Sequence, residues 1–152
     1  MGAGRENTPL PAPSDIEVRE AVDDRYLPDL MELFASAWWA IDRTTADVSR
    51  MLAGSDLIVA LVHSETERLV AFARVITDDV YLAVVLDVIV APAARGSGVG
   101  AILMEAIVGH PRLADVDSVE LVCQPALFPF YRRWGFTEQV GHSRLMRRSA
   151  TD

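Results

Sequence analysis

The residues best suited to chemistry lie between Val84 and Val108, VVLDVIVAPAARGSGVGAILMEAIV. A β-branched run leads to Pro92, glycines follow at alternate positions (Gly96, Gly98 and Gly100), and an apolar helical pattern starts at Val99. A strand, a glycine turn and a helix in that order aim several backbone N–H groups and the positive end of a helix dipole at one point, where an anion such as a phosphate binds. Three ligand classes compete for that point. A triphosphate loop of the Walker type needs Lys-Ser/Thr after its last glycine; Ala101-Ile102 stand there instead, which removes that reading. The dinucleotide fingerprint is met by Gly96, Gly98 and Ala101, but it normally opens its domain, and here only the last third of the chain follows it. Glu120 has the spacing of a ribose-binding acid, yet Val119, Leu121 and Val122 put it inside a strand rather than at a strand end. The third class draws on more of the chain.

The elements that must position this loop follow from hydropathy spacing. Residues 1–14, with prolines among small and polar residues, are expected as a mobile tail, and the domain as 15–148. Ile16–Ala21 alternates as a short strand. Asp23 and Asp24 offer capping chemistry, and Leu27, Leu30, Met31, Phe34 and Trp38 recur at helical spacing. That spacing predicts a helix from about Tyr26 to Ala40, with Trp38 on its core stripe. Thr44 with Asp47 opens a second helix over Thr45–Leu52, stopped at Gly54. Leu57–His63 and Leu69–Thr77 read as a hairpin, and Tyr81–Val90 as a long strand covered on both faces. After the glycine loop come a helix ending near Gly109, a strand over Ser118–Cys123, a short helix in ALFPFYRRWG, and terminal strands over Phe136–Val140 and His142–Arg147. The order β-α-α-β-β-β-α-β-α-β-β defines an α/β fold with a mixed sheet and helices on both faces, not the alternation of a doubly wound parallel sheet.

Composition narrows the partners. The chain has 152 residues, 51% of them apolar, which suits one globular domain. A net charge of −8 argues against a nucleic-acid partner and is compatible with a cationic, amine-bearing substrate. Arg132, Arg133, Arg144, Arg147 and Arg148 read as a solvated face. The single Cys123 excludes an intrachain disulfide and fits a reducing compartment. Charges and turns interrupt every apolar run well before the roughly 20 residues a bilayer span needs. The N-terminus lacks a secretory pattern, so a cytoplasmic protein without a membrane partner is expected. No cluster of His, Cys, Asp and Glu has metal-ligand spacing, and no metal is expected.

The form Arg95-Gly96-Ser97-Gly98-Val99-Gly100 is R-x-x-G-x-G, preceded by a strand ending Val90-Ala91-Pro92. About thirty residues on stands Phe130-Tyr131-Arg132-Arg133-Trp134-Gly135-Phe136. Together these resemble the GNAT superfamily of acyl-CoA-dependent N-acetyltransferases: its pyrophosphate loop, then its F-Y-x-x-x-G-F segment, in the family's order and spacing. The resemblance covers about Ile16 to Arg147, and the element order read above is the family's too. FARVITD…YLAVVLDVIV, with His110-Pro111, further looks like a group of small bacterial members.

The resemblance implies acetyl-CoA as co-substrate and a primary amine as acceptor, joined in a ternary complex. It implies an opening between the Tyr81–Val90 and Ser118–Cys123 strands, where the pantetheine arm pairs with the backbone of Val88, Ile89 and Val90. The pyrophosphate would rest on the N–H groups from Gly96 through Ser97, Gly98 and Val99 to Gly100, and on the helix start at Ala101, beside Arg95. Gln124 stands where the family often has Asn. A backbone N–H near Val88 would stabilise the oxyanion. Tyr131 matches the family tyrosine that donates a proton to the departing sulfur. A phenol stays protonated at neutral pH, so it can donate. Asp87, a carboxylate among Val and Leu, is a candidate base with a raised pKa; a hydrogen-bonded structural Asp is the competing reading, and His63 and His142 are alternative bases. Trp39 and Arg43 fall where the family walls its acceptor site. Acyl transfer to protein amines, a CoA-binding domain without turnover, and a homodimer remain compatible with the pattern.

Overall fold

The computed structural model describes residues 13–150. The tail expected over 1–14 therefore lies outside the described residues, except for Pro13 and Ser14, which enter a short 3-10 turn. Two compact units divide the chain, Met1–Leu121 and Val122–Asp152.

The first unit is built on a five-stranded open sheet in the order β1-β2-β3-β4-β5. Its strands are β1 (Ile16–Arg19), β2 (Leu57–His63), β3 (Arg68–Thr77), β4 (Leu82–Val90) and β5 (Ser118–Leu121). Pairing is antiparallel from β1 to β4 and parallel between β4 and β5. The β2–β3 hairpin is closed by Glu67 N–H donating to the His63 carbonyl at 2.8 Å, and its register shifts by one residue between Leu61 and Val62. The β3–β4 connection is set by Asp78, whose Oδ1 accepts from the N–H groups of Val80, Tyr81 and Leu82. Those three bonds hold the Asp78 carboxyl below its ordinary pKa.

Helix α1 (Leu27–Ala35) starts with Pro28 in its first turn, where a missing N–H costs nothing. Its buried face, Leu30, Leu33 and Phe34, packs with Ala60 and Val62 of β2, Phe72 of β3 and Ile89 of β4. Phe34 meets Phe72 edge-to-face at 5.8 Å between ring centroids. Asp29 accepts from Leu69 N–H at 3.0 Å, which ties α1 to the start of β3. Helix α2 (Thr45–Ala53) is capped by Thr44, whose Oγ1 accepts from Asp47 N–H at 3.2 Å. The alternate sheet residues Val59, Leu61, Ala71, Ala73 and Val75 are buried as well. Helix α3 (Val99–Val108) buries Val99, Leu103, Met104 and Ile107 against β2, β3 and β4. Helices thus cover both faces of the sheet, as the spacing predicts.

Several expectations are corrected. The first helix ends at Ala35 rather than Ala40, because Ser36 turns its hydroxyl back onto the Leu33 carbonyl at 2.6 Å and the next bonds tighten to i→i−3. Trp38 therefore leaves the core stripe and is 74% exposed. β5 stops at Leu121, short of Cys123. In the second unit, Pro125–Leu127 forms a 3-10 turn and Phe128–Arg132 forms helix α4. The strands expected over Phe136–Val140 and His142–Arg147 do not form among the described residues. Val140, Leu145 and Met146 are exposed, so the alternation there buries no face to hold a strand.

Phe72 joins α1 to the middle of the sheet with no solvent contact. Phe72→Ala is expected to lower unfolding free energy by about 3–5 kcal/mol, read as a lower urea midpoint at unchanged slope.

Candidate active site

The site begins where β4 outruns its neighbour. β5 pairs only with Leu82–Val85, so Leu86–Val90 keep a strand partner on the β3 side alone. Between Arg74↔Leu86 and Phe72↔Ile89 the β3–β4 register slips by one residue, leaving Asp87 and Val88 opposite Ala73. This is a β-bulge with Asp87 at φ +56, in the left-handed region. Asp tolerates that region better than most side chains, and the bulge turns the backbone at Val88 out of the regular ladder.

Beyond Val90 the chain makes a 3-10 turn over Pro92–Ala94 and enters the glycine loop. Gly96 (φ +77) and Gly98 (φ +88) adopt backbone conformations closed to most L side chains, and Gly98 is the N-cap of α3. The N–H groups of Gly96, Ser97 and Gly98 make no hydrogen bond among the described residues, and those of Val99, Gly100 and Ala101 open the helix. Ser97 Oγ folds back onto the Ala94 carbonyl, and Arg95 Nε reaches the Val90 carbonyl at 3.4 Å. Free N–H groups converging at a helix N-terminus fit a pyrophosphate. The open edge of Leu86–Val90 fits an extended amide chain.

A groove lies on the α1–α2 side of the same unit. One open cleft of about 280 Å³ is lined by Trp38, Trp39, Ala40, Ile41, Asp42, Arg43 and Asp47. A second, of about 210 Å³, is lined by Arg43, Asp47, Val48, Met51 and Arg74. Arg43 and Asp47 belong to both, so the two adjoin. Trp39 leans edge-on against Phe34 at 6.3 Å. The early end of α1 places the two tryptophans and Asp42 here.

Asp87 is joined to that groove by ion pairs. Arg43 grips its carboxylate bidentately, Nη1 to Oδ2 at 2.8 Å and Nη2 to Oδ1 at 3.0 Å. Arg74 Nε donates to Oδ2 at 2.8 Å. The Asp87 side chain is 8% exposed, against 28% for Arg43 and 15% for Arg74. Burial raises the Asp87 pKa, but the hydrogen bonds and charges of Arg43 and Arg74 outweigh it and hold the carboxyl below the usual range. The raised pKa expected of Asp87 is therefore corrected. Both oxygens are engaged, and the anion binds protons weakly, which does not suit a general base. Arg43 lines the clefts as expected of a substrate residue, yet its guanidinium is committed to Asp87. His63 takes part in its hairpin turn, accepting from Thr66 N–H at 3.3 Å.

Sequence reasoning missed Arg74. The signal was present: a lone charge within the apolar run of β3 requires an opposite partner, and Asp87 is the acid of the neighbouring strand. Asp42 and Asp47 were missed as cleft residues: in the loop expected to wall the acceptor only Trp39 and Arg43 were singled out, and Asp47 reads as a capping residue of α2.

In the second unit, Gln124 is exposed and precedes the Pro125 turn without capping it. Tyr131 lies in α4, 7% exposed, edge-on to Phe130 at 5.0 Å and Phe136 at 6.1 Å. Burial, aided by the Cys123 charge, pushes its phenol up to about 12. Burial also pushes the Cys123 thiol up. Among the described residues no group of His, Cys, Asp and Glu could hold a metal ion, and no helix is long and apolar enough to cross a membrane.

Comparison with known proteins places this geometry in a family. The model of the GNAT acetyltransferase domain matches residues 53–138, which take in the bulged strand, the glycine loop and the Tyr131 segment. The N-acetyltransferase ycf52 of Porphyra purpurea is 31% identical over 112 residues, 72% of this chain and 64% of that protein. Serotonin N-acetyltransferase 2, chloroplastic, of Oryza sativa subsp. japonica is 42% identical over 73 residues, 48% of this chain and 36% of that one. A GNAT-family crystal structure from Xanthomonas campestris pv. campestris superposes with a TM-score of 0.75 at 32% identity, covering 93% of this chain and 96% of that one. The chain spans less than two thirds of the length of these curated relatives. It belongs to the GNAT acetyltransferase family.

The Asp87 cluster yields a stability prediction. Asp87→Asn leaves two guanidinium groups without their anion and is expected to destabilise by about 3 kcal/mol in chemical denaturation near neutral pH. Because the folded pKa of Asp87 is depressed, its contribution is complete above the unfolded carboxyl value of about 3.9. It is lost as pH falls through the lower folded value. The difference between wild type and variant should thus narrow only below about pH 4.

Proposed function

We propose that the chain is an N-acetyltransferase that moves an acetyl group from acetyl-CoA to the primary amine of a small molecule by direct attack in a ternary complex. The observation that carries this reading is the half-open, bulged end of β4 running directly into a glycine loop with free N–H groups. Acetyl-CoA supplies the activated thioester. Gly96–Ala101 hold its pyrophosphate, with Arg95 alongside, and the edge of Val88–Val90 takes its amide arm. The Val88 N–H, displaced from the ladder by the bulge, stabilises the oxyanion. Tyr131 is the proton donor to the departing thiolate; its place in FYRRWGF supports that role.

The acceptor is an amine with an aromatic or apolar body. Trp38 and Trp39 provide π faces for an ammonium or a ring, and Asp42 and Asp47 attract the cation. The rice relative is named for serotonin, an amine of that class, which supports the reading.

The test is thiol release from acetyl-CoA across a panel of arylalkylamines, aliphatic amines, amino sugars and lysine peptides. Release is expected with arylalkylamines. Tyr131→Phe should lower kcat about 100-fold or more with acetyl-CoA affinity unchanged. Tight acetyl-CoA binding without release for any acceptor, and without loss in Tyr131→Phe, would make the chain a CoA-binding domain.

A further inference from the structure

Arg43 is drawn into four contacts that no simple substrate residue needs. Its guanidinium forks the Asp87 carboxylate, lies 4.7 Å from the Phe34 ring centroid and 5.4 Å from that of Trp39, and reaches Met51 Sδ at 3.7 Å. Phe34 belongs to α1, Trp39 and Arg43 to the loop that walls the groove, Met51 to α2, and Asp87 to the bulge of β4. One side chain thus joins the wall of the groove to the residue that gives β4 its extra step. Asp87 needs such a hold, because a non-glycine residue at φ +56 resists that conformation. Arg74 anchors the same carboxylate from β3, but it belongs to the sheet already. Of the two arginines only Arg43 comes from the loop.

We propose that Arg43 is a positioning residue: through Asp87 it sets the bulged backbone at Val88 and the groove wall at Trp39 in one fixed frame. The inference rests on the acyl-transfer reading for its consequence in catalysis, but not for its geometry. The N–H of Val88 and the acceptor must meet one carbonyl carbon from different elements. Misplacing either by about 1 Å costs about 100-fold in rate even when both ligands still bind. A planar fork suits this task, since its two parallel bonds fix an angle as well as a distance. Lysine offers a single point charge and fixes neither.

The experiment compares Arg43→Ala and Arg43→Lys with the wild type. Neither leaves Asp87 bare, because Arg74 stays bonded to it, so both variants should fold; the amide spectrum of each confirms it. In Arg43→Ala the Val88 and Asp87 amide resonances should shift and their hydrogen exchange should accelerate. Acetyl-CoA affinity, measured by calorimetry, should stay within about 3-fold, while kcat at saturating acceptor falls about 10- to 100-fold. Added guanidinium should restore part of kcat in Arg43→Ala, and Arg43→Lys should remain impaired despite its charge. Unmoved Val88 and Asp87 amides would overturn the proposal even in a protein with no measurable turnover. A rise in acceptor KM at unchanged kcat would overturn it too, and would make Arg43 a substrate contact. If the wild type turns over no acceptor, the acyl-transfer reading fails on its own, and the amide resonances and exchange rates still decide the role of Arg43.

Discussion

The first unit depends on one ionic cluster in the middle of its sheet. A carboxylate that is nearly sealed from water has to be neutralised, and Asp87 is neutralised twice, from β3 by Arg74 and from the α1–α2 loop by Arg43. Desolvating three charges is costly, and an apolar trio of equal volume would serve stability as well or better. What the cluster adds is direction. It allows β4 to take an extra residue in a conformation that costs about 1 kcal/mol, and keeps that residue from slipping back into register. Glycine at this position would accept the dihedral freely but hold nothing; asparagine would accept it and lose the charge that engages both arginines. Asp meets both demands, which explains an acid in a strand otherwise built of Val, Leu and Ile.

The rest of the first unit can be understood as support for that strand. α1 and α2 close over one face through Phe34, Val48 and Phe72, and α3 covers the other through Leu103, Met104 and Ile107. β5 supports β4 only as far as Val85. From there on backbone groups are left unmatched, first along an edge and then at the head of α3. In the proposed function this unmatched backbone takes up the amides and phosphates of the co-substrate, which would give the incomplete pairing a use.

Much of this was legible in the sequence, for local reasons. The strands β2, β3 and β4 and the helix α3 follow from uninterrupted apolar periodicity, and the glycine loop from residues whose conformations few others reach. The family resemblance lay in two short motifs with few alternatives. What failed to show was decided by single side chains or by long-range pairing. Ser36 ended α1 early through a local hydrogen bond that competes with the helical ladder, and hydropathy spacing carries no sign of that competition. The terminal strands were read from alternation in a stretch whose apolar residues find no face to bury. Asp87 was weighed by its apolar neighbours in sequence, which favour a raised pKa, whereas its neighbours in space are two guanidinium groups from residues thirteen and forty-four positions away. Arg74, in full view within FARVIT, needed only the question of where its counter-charge lies.

The early end of α1 has an optical consequence. Trp38, expelled from the core stripe, holds most of its indole in water at the lip of the groove, while Trp39 beside it is 39% exposed and leans on Phe34 and Arg43. An indole in water emits at longer wavelength than one in an apolar setting. Under the proposed function, an acceptor that covers Trp38 would strip water from it and move its emission to the blue, with no label attached. The turn that disrupted the helix has equipped the groove with an indicator of its own occupancy.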